Sequence, residues 1–206
     1  MNRLNQIWIM IVEELGRLKF YIVGAVILFA FGVYSGFTSE GLDELLTQTT
    51  REVFGEINKQ IEASDNPTQT SIVLIFLNNV RAVLIMMYSG IILAIFPVFS
   101  MLFNGILVGF VIRVQESVGG ASLSELIFKG LLPHGIFELP AIFIAAAFGI
   151  RFGVNAVLRI FPSWRDRTQK VGEVAKAGLP LAGFLIILLL VASIVESTVT
   201  RWLLLG

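Results

Sequence analysis

Five long apolar stretches run through the chain, at about Phe20 to Phe37, Ser71 to Ile95, Val98 to Val114, Leu126 to Phe152 and Leu179 to Trp202. Each exceeds or approaches the roughly 20 residues a helix needs to cross the hydrocarbon core of a bilayer. A backbone N–H or C=O in lipid has no water to bond, so only helices and closed barrels span it. Continuous apolar runs of this length are helical. The predicted fold is all-α: a polytopic transmembrane bundle of about five spans with amphipathic interfacial helices. One alternative stays open, in which the stretch from Pro133 to Pro140 is re-entrant and four full crossings remain. Composition agrees, with 56% hydrophobic and 15% charged residues against about 25% charged in an ordinary soluble domain. The 206 residues fit one integral membrane domain. With no cysteine, disulfides, thiolate metal sites and a cysteine nucleophile are excluded.

The net charge of zero says nothing as a total, but its distribution sets a direction. The arm over residues 1–19 carries Arg3, Arg17 and Lys19, and the segment over residues 153–178, with Arg151 just before it, carries Arg159, Arg165, Arg167, Lys170 and Lys176. Five crossings put both on one side, which the positive-inside rule makes cytoplasmic. The segment over residues 38–70 then lies outside, with Glu40, Asp43, Glu44, Glu52, Glu56, Glu62 and Asp65 against Arg51 and Lys59. The expectation is a multi-pass protein of the cell membrane, N-terminus in and C-terminus out. The run after Lys19 lacks a small-x-small cleavage site and reads as a retained first span.

Three segments outside the spans are amphipathic. Leu4, Ile7, Trp8, Ile11, Leu15 and Leu18 recur at helical spacing before the first span. Leu42, Leu45, Leu46, Val53, Ile57 and Ile61 do so in the external segment, and Val154, Val157, Leu158 and Phe161 after the fourth span. Such helices rest on the headgroup layer or pack on the bundle. The external one can alternatively serve as a docking surface, since its acidity opposes adhesion to anionic lipid. The basic internal stretch suits an anionic inner leaflet.

Polar residues inside the spans are the candidate site. Asn78, Asn79 and Arg81 fall in the second span, roughly 10–15 Å below its outer end at 1.5 Å per residue. His134 and Glu138 are four residues apart in the fourth span and share a helix face. Glu196 lies near the outer end of the fifth. These six are expected to converge in the outer half of the bilayer, with Arg81 pairing Glu138 or Glu196 to offset the cost of burying charge. The cluster reads equally as a structural lock, in which each hydrogen bond contributes about 0.6 kcal/mol, or as a site for a ligand or partner. Asn104, Gly105 and Gly109 in the third span read as helix-packing positions. Gly32 and Gly36, and Gly149 and Gly153, repeat the small-xxx-small spacing.

Pro133, Gly135 and Pro140 mark a helix break. Pro133 withholds a backbone bond from the Lys129 carbonyl and Pro140 from the Ile136 carbonyl. A helix starting at Pro133 would be a short half-helix whose N-terminus faces the polar cluster and attracts anions.

Enzyme chemistry finds little support. With a single histidine the two-histidine zinc helix is absent, as are the Gly-x-Ser-x-Gly elbow and the Walker loop. No catalytic residue, metal site, cofactor or nucleic-acid partner is expected.

The string Leu132-Pro133-His134-Gly135-Ile136-Phe137-Glu138-Leu139-Pro140-Ala141 resembles the signature of the stage II sporulation protein M family of integral membrane proteins. Asn78-Asn79, Asn104-Gly105 with Gly109, and Ala192-Ser193-Ile194-Val195-Glu196 resemble its second, third and fifth spans. The resemblance implies about five spans and no catalytic activity. In endospore formers the named member anchors stage II sporulation proteins D and P, which degrade peptidoglycan during engulfment. Relatives also occur where no spores are made. The implied function is a membrane scaffold for extracytoplasmic partners such as wall hydrolases. The alternative is a small transporter or lipid-handling protein, since proline-interrupted spans and buried charges are what transporters use; a homo-oligomer would enlarge its pathway.

Overall fold

The fourth apolar stretch is the centre of the molecule. In a computed structural model it forms α6 (Leu132–Leu158), which touches all four other spans. Those are α1 (Arg3–Thr38), α3 (Pro67–Ser89), α4 (Ile95–Ser117) and α8 (Val171–Val195). Outside them lie α2 (Asp43–Glu62), the single turn α5 (Leu123–Glu125) and the short α7 (Pro162–Arg165). The structure describes residues 2–39, 41, 43–117, 122–200 and 202–203, with Val53 and Phe54 described as backbone only. Glu40, Leu42 and the Val53 side chain, which the sequence places in the external segment, therefore lie outside the described residues. Among the described residues there is no strand. Among them, five helical stretches are long and apolar enough to cross a membrane: Arg3–Thr38, Pro67–Ser89, Ile95–Ser117, Leu123–Leu158 and Val171–Thr200.

The arm and the first span form one helix. α1 runs 36 residues without interruption, about 54 Å at 1.5 Å per residue. Ile11, Leu18, Ala25, Phe29, Gly32 and Gly36 form one buried stripe along it, as the 3.6-residue period requires. The arm packs on the bundle, with Trp8 edge-on to Phe184 of α8 and Ile11 and Leu18 buried in the common core.

Close approach of backbones joins the helices. Gly32 and Gly36 of α1 meet Gly105 and Gly109 of α4; a Cβ on Gly105 would press on the Phe29 carbonyl and lie 3.0 Å from the Gly32 Cα. Gly149 and Gly153 of α6 likewise receive the α3–α4 connection at Gly90 and Ala94. In that connection Leu93 and Ala94 both have φ of 58°, a left-handed conformation unusual without glycine. The second span thus ends at Ser89 rather than Ile95. Its apolar run continues through a turn, so hydropathy alone does not mark the end.

The expected break at Pro133, Gly135 and Pro140 takes another form. Pro133 is the second residue of α6, which continues directly from a π-helical stretch, and Pro140 lies inside a helix that runs on to Leu158. There is no short half-helix. The irregularity lies upstream, where Leu126–Leu131 is a π-helical stretch and the Leu132 N–H bonds the Ile127 carbonyl five residues back. Gly135 is buried, yet an added Cβ would find only leucine side chains at 3.6 Å or more, so it is not a point of backbone contact.

Candidate functional site

Two antiparallel helices bring the titratable groups together. α6 begins and α8 ends at the same end of the bundle, the end that carries α2. His134 and Glu138 sit one turn apart on α6, and α8 closes with a second π-helical stretch, Glu196–Thr200. A π turn shifts side chains from their α-helical register and recurs at functional sites. Here one such stretch precedes His134 by two residues and the other begins at Glu196. Ligand atoms of His134, Glu138 and Glu196 lie within 4.8 Å of one another, and all three residues are half-buried. The His134 Nδ1 is 3.3 Å from the Thr200 Oγ1. Asn79, half-buried on α3, lies beside the Glu138 carboxyl group. Ser197 donates to the Ser71 hydroxyl at 2.9 Å, a fully buried link between α8 and α3.

Four of the six residues predicted from sequence are therefore assembled: Asn79, His134, Glu138 and Glu196. Asn78 and Arg81 are not. Both are exposed on the outer surface of α3, and Arg81 belongs to none of the ion pairs among the described residues. The reason is angular. Asn79 shares a face with the buried Val83, Met86 and Met87, while Arg81, two residues on, points about 200° away at 100° per residue. The expected pairing of Arg81 with Glu138 or Glu196 is absent. Among the packing residues, Gly105 and Gly109 lie at the α1 contact, but Asn104 donates to the Ser100 carbonyl of its own helix at 2.8 Å.

The sequence reading missed a second polar cluster at the opposite end of α6. Glu14, 2% exposed, pairs with Arg151, and Arg17 lies 3.4 Å away. Arg151 also donates to the Gln169 side chain. Asn155 fixes that segment from both sides, donating to the Gln169 carbonyl at 2.8 Å and accepting from its N–H at 3.1 Å. Arg151, Asn155 and Gln169 border a cleft of about 270 Å³ that Tyr21, Trp164 and Arg167 also line. The available signal was position: Glu14 lies three residues from Ile11 and four from Leu18, on the apolar stripe itself.

A family model described as stage II sporulation protein M matches residues 21–201. The chain belongs to the stage II sporulation protein M family. The match takes in α3, α4, α6, α8 and α1 from Tyr21 onward, and both polar clusters apart from Glu14 and Arg17. The chain is also similar to two proteins of Methanocaldococcus jannaschii. It is 30% identical over 151 residues to the uncharacterized protein MJ0706, covering 72% of this chain and 66% of that one. It is 30% identical over 132 residues to the uncharacterized protein MJ0793, covering 61% of this chain and 68% of that one. The chain thus spans about two thirds of the length of these relatives. No solved structure matches it.

Proposed function

We propose that this chain is a non-enzymatic membrane scaffold whose α2 helix presents a docking surface to extracytoplasmic partners. The observation that carries the reading is how α2 is held. It is a 20-residue helix outside the spans, fastened by Leu46, which is 1% exposed, and by an ion pair from Asp43 to Arg113 of α4. The remaining face, with Glu44, Gln48, Glu52 and Glu56, is uncovered. The helix as a whole carries five acidic and two basic residues, which disfavours anionic lipid and favours a basic protein surface. Membership of the family supports wall-degrading enzymes as the partner class. The positive-inside orientation supports α2 as the outward face.

The test is co-purification with a peptidoglycan hydrolase encoded beside the gene. The wild-type chain should retain it, and a chain carrying Glu44→Lys, Glu52→Lys and Glu56→Lys should lose it while keeping its helical content. Retention by the charge-reversed chain would remove α2 as the docking surface.

A second reading, a small transporter or lipid-handling protein, draws on His134, Glu138 and Glu196 facing one another among the spans. In that case liposomes would show flux of an ion, solute or lipid that disappears in Glu138→Gln.

A further inference from the structure

We propose that His134, Glu138 and Glu196 bind a divalent first-row transition-metal ion of the zinc class, which clasps the end of α8 to α6. The inference is independent of the scaffold reading. Three donor groups of the right types converge from two helices, with ligand atoms within 4.8 Å of one another. In a tetrahedral zinc site, ligands about 2.0–2.1 Å from the ion lie about 3.4 Å apart, a spacing that small side-chain rotations reach from here.

Charge argues the same way. Two carboxylates directed at one point among apolar helices repel each other and are poorly solvated. Among the described residues every ion pair is made elsewhere, and neither Glu138 nor Glu196 has a lysine or arginine partner. Arg201, five residues beyond Glu196, lies outside the described residues. A divalent ion neutralises both carboxylates at once. The imidazole selects the class: calcium and magnesium take oxygen donors, whereas one nitrogen with two carboxylate oxygens suits zinc, manganese, iron or cobalt. Three protein ligands leave one coordination position open for water.

The surroundings have the form of an outer shell. Thr200 Oγ1 contacts His134 Nδ1 at 3.3 Å, the kind of hydroxyl contact that fixes a ligating ring. Ser197 anchors the same π turn to α3 through Ser71. Together they hold Glu196 over α6, so the ion would complete a clasp that the hydroxyl contacts begin.

The experiment uses the full chain in lipid nanodiscs, stripped with EDTA and dialysed against zinc chloride. Metal content is read by mass spectrometry and stability by thermal unfolding with and without zinc. We expect a single zinc ion per wild-type chain and a higher Tm when it is bound. Glu138→Gln and Glu196→Gln, which keep the side-chain shape, should each lose the ion and the zinc-dependent rise in Tm. Thr200→Val should weaken zinc binding by about 10–100-fold, as outer-shell losses do. Glu125→Gln, at an exposed capping position, should bind as wild type does. Two results would overturn the proposal: no uptake of zinc by the wild-type chain, or undiminished uptake by the triple variant His134→Gln, Glu138→Gln, Glu196→Gln.

Discussion

Glu14 is a residue whose loss should be felt strongly. It is buried in α1 and opposed by Arg151, which is itself 11% exposed. Removing one member of a buried pair strands the other charge, at a cost of about 3–5 kcal/mol. Glu14→Ala should therefore lower the unfolding midpoint in a denaturing-detergent titration far more than Glu13→Ala, one residue away and exposed. Replacing both partners, Glu14→Leu with Arg151→Leu, should recover most of the loss; failure to recover would show that the pair is not what Glu14 stabilises. The same residue shows what sequence reading captures at this scale. Depth along a span is a count of residues, and it placed His134, Glu138 and Glu196 at a common level. Direction around the helix needs neighbours. The period from Asn79 to Val83, Met86 and Met87 contained it, and it would have turned Arg81 and Asn78 outward. Glu14 was legible by the same test, being a carboxylate on an apolar stripe. That Glu196 reaches His134 was not legible, because it depends on two helices ending together in π turns.

The α1–α4 contact is a backbone contact, which makes its glycines sensitive positions. A methyl group on Gly105 would press on the Phe29 carbonyl of α1, and the helices must separate to admit it. Gly105→Ala should cost about 1–3 kcal/mol, as overpacking does. Gly24→Ala is the contrast. It lies in the same α1, with nothing within 4 Å of the added Cβ, so helix propensity alone acts and the change should be neutral or stabilising by up to about 1 kcal/mol. Equal losses from the two substitutions, read in one unfolding titration, would show that close approach of α1 and α4 is not what Gly105 provides. The glycine spacing was plain in the sequence, and so were the five spans. What they did not reveal is that α6 runs through Pro140. A proline removes one hydrogen bond and adds a ring, and packing on four other helices holds the chain helical despite both. The irregularity near Pro133 lies just before it, in the π stretch Leu126–Leu131.

At the scale of the whole molecule, the two ends of the bundle differ in charge and in partners. At one end Arg151 ties the N-terminal arm to the segment after α6 through Glu14 and Gln169. At the other, α2 lies against α4 through Asp43 and Arg113, and His134, Glu138 and Glu196 gather where α6 begins and α8 ends. The pairing of Glu14 with Arg151 places the arm and the basic segment together without appeal to any charge rule. Only the assignment of that end to the cytoplasm depends on the positive-inside bias. The absence of cysteine makes this direct to measure. Gln48→Cys, on the exposed face of α2, should react with a membrane-impermeant maleimide in intact cells. Arg167→Cys, exposed after α7, should react only once the membrane is opened. The reverse pattern would leave the metal clasp standing, since its ligands are set by α6 and α8 alone. It would end the scaffold reading for wall enzymes, because α2 would then face the cytoplasm, where they do not act.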